Sequence, residues 1–318
     1  MNRIKTTAVL SLLFASLLAV PQNTRAQTPQ KPQTQQGLVD EAARVTLARF
    51  ADKKLTETQL SITLIDLRNP QKPVTASYRG NERIYPASVV KLFYFAAVHR
   101  WLEEKKIQDS DELKRAVRDM VVDSGNEATQ YVLDVLTQTT SGYELPAKEM
   151  EEWQQKRNAV NRYFTSLGYT NININQKTFC EDAYGRDKVS RGPKGENRNK
   201  LTTDATARLL AEIVTGRAVN PARSAQMMEL LKRDYAGTTK YQDDQGHGFT
   251  GIALKDIAGA KLWSKAGWTS TTRHDVAYIE LPNGAKFVLA VFTEGHANER
   301  EIIPTVARVV IDGMGALK

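Results

Sequence analysis

The spacing of apolar residues divides the chain into regions of different secondary structure. Residues 37–51 carry apolar side chains at helical spacing, whereas residues 60–67 and 74–78 read as two strands of a hairpin joined across Asn69-Pro70. The middle of the chain is predominantly helical, with helices predicted over residues 89–105, 111–122, 128–136, 149–167, 203–215 and 221–232. Between these helices, residues 185–200 form the most polar stretch, predicted as a solvated loop, with a basic lip beside a site as the alternative.

The end of the chain returns to strands. Strands are predicted over residues 261–264, 275–281 and 286–292, with a turn at Pro282-Asn283-Gly284, before a last helix over residues 300–314. This order predicts a mixed α/β (α+β) fold: an antiparallel sheet built from both ends of the chain, with flanking helices, plus an all-helical subdomain. We expect the active site where the two parts meet.

The first residues have the composition of a targeting segment. Arg3 and Lys5 precede an apolar run over residues 8–20, and Thr24-Arg25-Ala26 offers a small residue at a plausible cleavage point, which predicts a signal peptide over residues 1–26 with cleavage near Ala26. Residues 27–36 read as a flexible leader and residues 37–318 as one domain. We therefore expect a periplasmic or secreted protein. No cysteine lies near the cleavage point to carry a lipid, so no membrane anchor is expected.

Charge and reactive residues narrow the expected partners. The formal net charge is +8, and removal of residues 1–26, which carry three basic residues and no acid, would leave 41 basic and 36 acidic residues, a charge of +5. This positive excess is too small and too dispersed along the chain to indicate a nucleic-acid-binding protein.

Cys180 is the only cysteine, which excludes an internal disulfide. The four histidines share no ligand spacing, so we expect neither metal nor cofactor. We expect a monomer acting on a small molecule.

The sequence Ser88-Val89-Val90-Lys91 joins a Pro-containing loop to an apolar helix. Residues three apart share one helix face, so the Lys91 amine can reach the Ser88 hydroxyl. A lysine shielded from water can act as the base that activates a serine nucleophile. A chain of this length contains about one such motif by chance, so a bystander serine is the alternative interpretation.

Two further motifs follow in order. Ser124-Gly125-Asn126 lies at a break between two predicted helices, and Lys265-Ala266-Gly267 lies at the end of a predicted strand. A loop serine and a solvated lysine are the alternative interpretations of these two motifs. The three patterns each occur once, in this order and on the expected elements, which favours a shared site.

With these motifs the chain resembles the class A serine β-lactamases and the related penicillin-binding proteins, whose motifs are S-x-x-K, S-D-N and K-T-G. The resemblance covers nearly the whole mature chain. It includes Leu201-Thr202-Thr203 before a helix and Arg273-His274-Asp275 at the start of a strand. It implies an α/β sandwich with a helical lobe, in agreement with the periodicity.

The resemblance also implies roles for individual residues. Ser88 would attack the lactam carbonyl to form an acyl-enzyme, with Lys91 as base or proton relay and Ser124 passing a proton to the leaving nitrogen. Lys265 and Arg273 would attract the substrate carboxylate. Asn126 would bind the substrate's acylamide group, and Gly267 would allow its close approach. The backbone N–H groups of Ser88 and Trp268 would form the oxyanion hole.

The chain departs from the family pattern at several positions. In the family, deacylation uses Glu-x-x-x-Asn; this sequence offers Glu181 as the base, with Asp182 as the fallback and Gly185 where the Asn would stand. Ala266 replaces a hydroxyl residue and Gly125 replaces an Asp. Residues 137–153 resemble an insertion, which can change the rim of the cleft.

Three functions remain open at this point. The first is an exported β-lactamase that degrades β-lactams and so confers antibiotic resistance. The second is a penicillin-binding or peptidase-like relative that acylates at Ser88, acts on a peptidoglycan-like peptide and deacylates slowly. The third, from a different class, is a non-catalytic envelope-binding module that keeps the cleft without the chemistry.

Overall fold

A six-stranded antiparallel sheet forms the centre of the described structure. The computed structural model describes residues 34–179, 182–239, 241, 244–315 and 317. The predicted signal peptide and most of the predicted leader therefore lie outside the described residues. The strands are β1 (Leu60–Asp66), β2 (Val74–Tyr78), β3 (Lys232–Arg233), β4 (Lys261–Trp268), β5 (Thr272–Glu280) and β6 (Lys286–Glu294). Their order across the sheet is β2-β1-β6-β5-β4-β3, with every neighbouring pair antiparallel.

Helices follow the strands and fill the middle of the chain. They are α1 (Gln35–Arg49), α2 (Lys91–Glu103), α3 (Asp111–Val121), α4 (Asn126–Thr137), α5 (Ala147–Arg157), α6 (Ala159–Ser166), α7 (Gly185–Arg191), α8 (Thr203–Val214), α9 (Pro221–Leu231) and α10 (Ile302–Met314). Short 3-10 helices span Glu57–Gln59, Ala87–Val90 and Thr250–Leu254. The predicted fold class is confirmed, because β1 and β2 from the start of the chain pair into one sheet with β4, β5 and β6 from its end.

The sheet separates two apolar cores. Side chains alternate between the faces of a strand, so Val288 and Ala290 of β6 pack with α2 and α8, whereas Leu289 and Val291 pack with α1 and α10. The first core continues into the helical part of the chain through α3, α4 and α6. Strand β4 and helix α2, which carry two of the three motifs, are therefore both fixed by buried packing.

Several predicted boundaries were wrong, and four of these errors have a clear physical reason. Helix α1 begins at Gln35 instead of residue 37, because the Thr34 hydroxyl accepts the Gly37 N–H at 3.1 Å and caps the helix. The single helix predicted over residues 149–167 is two helices, α5 and α6, that meet at Asn158. The Asn158 amide donates to Gln154 O at 3.2 Å, so it closes the first helix.

The other two errors concern polar residues that are buried. Residues 185–200 were predicted as a solvated loop, but α7 occupies Gly185–Arg191, and Asp187 is buried against Arg157 at 3.4 Å. The third strand was predicted to end at residue 264, but β4 continues to Trp268 with Lys265 fully buried. A polar stretch of sequence does not show that its charged side chains are buried when the groups that pair with them come from a distant part of the chain.

Within the described residues, no helix combines the length and the apolar character needed to cross a membrane.

Candidate active site

Ser88 and Lys91 lie at the start of the central helix of the helical lobe. Ser88 belongs to the 3-10 helix Ala87–Val90, and Lys91 is the first residue of α2. Ala87 has a φ of +47°, a left-handed conformation that is rare for a residue with a side chain and that is often found beside functional groups. Ser88 is partly exposed, whereas Lys91 is fully buried.

The buried Lys91 amine is held by the second motif. Its Nζ donates to Ser124 O at 2.5 Å, to Asn126 Oδ1 at 2.8 Å and to Ser124 Oγ at 3.3 Å. These three acceptors compensate the burial of an ammonium group. They also aim the amine at a fixed point, next to the Ser124 hydroxyl.

Ser124 occupies a tight turn between α3 and α4. Its φ of +58° places it in the left-handed region, and Gly125 N donates to Asp119 O at 2.9 Å, so the turn folds back on α3. Asn126 then begins α4, and Thr129 Oγ1 donates to Gly125 O at 2.6 Å. The turn thereby presents the carbonyl and hydroxyl of Ser124 to the same neighbour, Lys91.

Lys265 reaches the same hydroxyl from the sheet. Its Nζ donates to Ser124 Oγ at 3.0 Å, to Gln245 Oε1 at 2.7 Å and to Ala266 O at 2.8 Å. Burial, followed by the positive charges of Lys91 and Arg233, holds the pKa of Lys265 well below its usual value, and Asp275 partly opposes this shift. The two lysines and Ser124 therefore form one hydrogen-bonded unit.

Gly267 allows the sheet to approach Ser88. A Cβ at this position would lie 2.7 Å from Ser88 N, 2.7 Å from Val89 N and 2.8 Å from Pro86 O, all backbone atoms that a side chain cannot displace cheaply. The Ser88 N–H belongs to the first turn of a helix, where backbone N–H groups have no intrahelical acceptor. The end of β4 and the start of this helix thus border one narrow space.

Trp268 and Arg273 lie beyond this space. Trp268 ends β4, is 40% exposed and packs on Phe249 with ring centroids 5.5 Å apart. Arg273 lies opposite Trp268 on the neighbouring strand β5 and is only 3% exposed. Its Nη2 donates to Gly248 O at 2.6 Å, and its guanidinium lies 4.2 Å from the centre of the Phe249 ring. Its proposed contact with a substrate carboxylate stays a prediction, and would require this side chain to turn outward.

A neighbouring histidine fixes the loop in front of Ser88. His274 is fully buried, its Nδ1 accepts from Thr293 N at 3.1 Å, and its Nε2 lies 2.9 Å from Tyr85 O. Because Nδ1 is an acceptor, the proton lies on Nε2, which donates to Tyr85 O. Burial lowers the pKa of His274 to about 4, so the ring is neutral at physiological pH.

The predicted deacylation base, Glu181, lies outside the described residues. The fallback residue, Asp182, is 70% exposed and forms an ion pair with Arg191, which lowers the pKa of its carboxyl group. The following helix α7 is held by the loop between α4 and α5, since Gly142 O accepts from Arg186 N at 3.1 Å. The loop between α4 and α5, whose residues resemble an insertion, thus packs against the start of α7.

Two residues of this site carried no sequence signal. Gln245 accepts the Lys265 ammonium, and Arg233 donates to Ser264 O at 2.7 Å and to Val121 O at 3.1 Å. Arg233 is half-buried, and the desolvation of its guanidinium lowers its pKa to about 10. Neither residue belongs to a recognisable motif, because each contact joins parts of the chain that are far apart in sequence.

A sheet that carries Lys265 against a helical lobe that carries Ser88, Lys91 and Ser124 defines the class of the β-lactamase and penicillin-binding protein fold. The model of the beta-lactamase enzyme family matches residues 42–314 of this chain. The protein therefore belongs to the beta-lactamase enzyme family.

Individual relatives agree with this assignment. The chain is 25% identical to beta-lactamase CTX-M-25 of Escherichia coli over 317 residues, which cover 97% of this chain and 96% of the relative. Among solved structures, a beta-lactamase from Sphaerobacter thermophilus aligns with a TM-score of 0.63 at 20% identity, over 87% of this chain and 98% of that chain. A mutant of PBP-A, solved as an acyl-enzyme complex with penicillin G, aligns with a TM-score of 0.62 at 16% identity, over 90% and 99%.

Proposed function

We propose that this protein is an exported serine hydrolase that opens β-lactam amide bonds through an acyl-enzyme on Ser88. The observation that carries the proposal is the position of Ser124 Oγ, 3.3 Å from Lys91 Nζ and 3.0 Å from Lys265 Nζ. Three motifs that are remote in sequence meet at this hydroxyl. A proton path from the nucleophile to the leaving group needs this kind of continuous chain of groups.

Acylation follows from this arrangement. Ser88 Oγ attacks the lactam carbonyl carbon while Lys91, in its neutral form, accepts the hydroxyl proton. A bond forms between Ser88 Oγ and the carbonyl carbon, and the C–N bond of the lactam breaks. Ser124 donates its own proton to the departing nitrogen and is reprotonated from Lys91, which lies within reach of its hydroxyl. The lysine is thereby neutral again at the end of the step.

The surroundings of Ser88 suit the charges that develop in this step. The Ser88 and Trp268 N–H groups would stabilise the oxyanion, where one donor is typically worth about 2.7–4 kcal/mol. Lys265, and Arg233 behind it, give the cleft a positive field that favours an anionic substrate. We assign the attraction of the substrate carboxylate to Lys265, with Arg273 as its supplement, and the acylamide contact to Asn126.

Deacylation requires a base for the attacking water, and we assign this role to Glu181. The water oxygen would attack the ester carbonyl as Glu181 takes one of its protons, and the bond to Ser88 Oγ would break with return of a proton to Ser88. The family places a Glu in the segment ahead of the Thr-rich motif, which is where Glu181 stands. Export follows from the signal peptide that residues 1–26 predict.

A slow-deacylating, penicillin-binding relative is the second candidate. Two observations favour it: Gly185 stands where the family's deacylation motif has Asn, and a mutant of PBP-A, solved as an acyl-enzyme complex with penicillin G, has the same fold. Both candidates acylate at Ser88. Toward a β-lactam, they differ in the lifetime of the adduct.

Turnover of a chromogenic cephalosporin together with intact-protein mass spectrometry separates the two candidates. We expect repeated turnover by the wild-type protein, and a fall in deacylation of about 10²–10⁴-fold in Glu181→Gln, with accumulation of the acyl-enzyme. Glu229→Gln, an exposed glutamate on α9, is the matched control and should retain wild-type turnover. A wild-type protein that stops after one equivalent, with a lasting adduct, would instead support the penicillin-binding candidate.

A further inference from the structure

Gln245 connects the two halves of the candidate site with a single side chain. Its Nε2 donates to Val121 O at 3.0 Å and to Val122 O at 2.8 Å, at the end of α3. Its Oε1 accepts from Lys265 Nζ at 2.7 Å and from Ala266 N at 3.1 Å, on β4. Gln245 is 6% exposed, and all of its hydrogen-bonding groups are used.

The partners determine which way the amide points. With the opposite orientation, the NH₂ group would face two donors, the Lys265 ammonium and the Ala266 N–H, and the amide oxygen would face two carbonyl oxygens. Only the observed orientation satisfies all four neighbours. A glutamate could accept from Lys265 equally well, but it has no donor for Val121 O and Val122 O.

The positions of these partners matter for the chemistry. Val121 ends α3, and the last carbonyls of a helix have no intrahelical donor, so Gln245 caps the helix two residues before Ser124. On the other side it holds the ammonium that donates to Ser124 Oγ. The amide therefore bridges the element that precedes the Ser124 turn and the strand that carries Lys265.

The loop that carries Gln245 is itself held in place. Asp244 Oδ1 accepts from Gly246 N and His247 N, each at 2.8 Å, and His247 Nδ1 lies 2.9 Å from the same carboxylate. His247 Nε2 lies 2.9 Å from Gly237 O. Gln245 thus extends from a well-connected turn, as a positioning group requires.

We infer that Gln245 is a positioning residue of this site, which sets the distance between Ser124 and Lys265 and supplies the neutral acceptor that faces the Lys265 ammonium. The inference deepens the proposed function and rests on it for its catalytic consequence. It assigns no contact between Gln245 and the substrate. It distinguishes Gln245 from a residue that only stabilises the fold, because the Lys265 ammonium is its direct partner.

The charged groups around Lys265 define what a substitution would change. Lys91 faces it from α2, Arg233 from β3 and Asp275 from β5, while Asp244 and His247 in the Gln245 loop are paired with each other. In Gln245→Glu, a carboxylate would stand beside Lys265 and favour its charged form. In Gln245→Met, which has a similar size, the ammonium would lose a hydrogen-bond acceptor, and the charged form would be disfavoured.

Two readouts test this inference. We expect Gln245→Met to slow acylation by a β-lactam about 10- to 100-fold, since small misplacements of reacting groups have effects of this size. Because Lys265 acts as a cation, acylation falls at high pH, where Lys265 loses its proton. This alkaline limb should move to lower pH in Gln245→Met and to higher pH, by about one unit, in Gln245→Glu. Gln226→Met, an exposed glutamine on α9, should leave both properties unchanged.

The second readout does not depend on activity. The titration of the Lys265 side chain, followed by NMR of ¹³C-labelled lysine, should shift in opposite directions in Gln245→Glu and Gln245→Met. Equal titration in both variants and the wild-type protein would overturn the inference, as would acylation rates within twofold of wild type. A wild-type protein that is never acylated contradicts the proposed function instead, and the NMR titration then decides the inference alone. If Gln245→Met does not fold, Gln245→Glu alone tests the inference, because its alkaline limb and its Lys265 titration should both move to higher pH than in the wild-type protein.

Discussion

Replacement of Lys91 by Met is expected to slow acylation of Ser88 by a β-lactam about 10³-fold without unfolding the protein. The loss is of the size that general-base catalysis typically contributes. The fold should persist because Met fills a similar volume, and removal of a fully buried amine also removes its desolvation penalty. The measurement is the second-order acylation constant from a time course of intact-protein mass, together with thermal unfolding.

The control for this variant is Lys72→Met, which removes a lysine that is exposed in the turn between β1 and β2. It should acylate at the wild-type rate. A Lys91→Met protein that folds and acylates within about threefold of wild type would show that the buried amine is not the base. The proton of Ser88 would then have to leave through another group.

Replacement of Gly267 by Ala is expected both to destabilise the fold and to slow acylation. The added methyl group would stand 2.7 Å from Ser88 N and Val89 N, so β4 and the helix that begins at Ala87 must move apart. Overpacking of this kind typically costs about 1–3 kcal/mol of stability. A shift of about 1 Å between reacting groups costs about 10²-fold in rate. We therefore expect both a lower melting temperature and acylation slowed about 100-fold.

The comparison for this substitution is Gly315→Ala after α10, where the close neighbour of the new methyl group would be the flexible end of the Asn283 side chain, and Asp312 O at 3.7 Å is an ordinary van der Waals contact. That variant should acylate like the wild type. If Gly267→Ala lost stability but acylated normally, the close approach of β4 to Ser88 would serve packing alone.

The parts of the fold that the sequence predicted are those governed by local periodicity. The hairpin of β1 and β2 and the helices α3, α8 and α9 lie within two residues of their predicted positions, because their apolar residues follow one regular spacing. The motifs were also visible, since a serine and a lysine three residues apart must share a helix face. Periodicity and spacing need no information from elsewhere in the chain.

The parts that the sequence did not predict depend on distant partners. Helix α7 is stable in a polar stretch because Asp187 meets Arg157, which is 30 positions earlier in the numbering. Strand β4 extends past residue 264 because Lys265 finds Ser124 and Gln245. No local pattern marks such pairings, and the same holds for Gln245 and Arg233, whose roles became visible only through their contacts.

The site of acylation is the central claim, and intact-protein mass spectrometry after brief incubation with benzylpenicillin tests it most directly. The wild-type protein, trapped by rapid acid quenching, should gain the mass of one penicillin, and proteolytic mapping should place that mass on the peptide that contains Ser88. Ser88→Ala should gain nothing under the same conditions. An adduct of equal yield in Ser88→Ala, or no adduct in the wild-type protein at any quench time together with no turnover, would contradict the account.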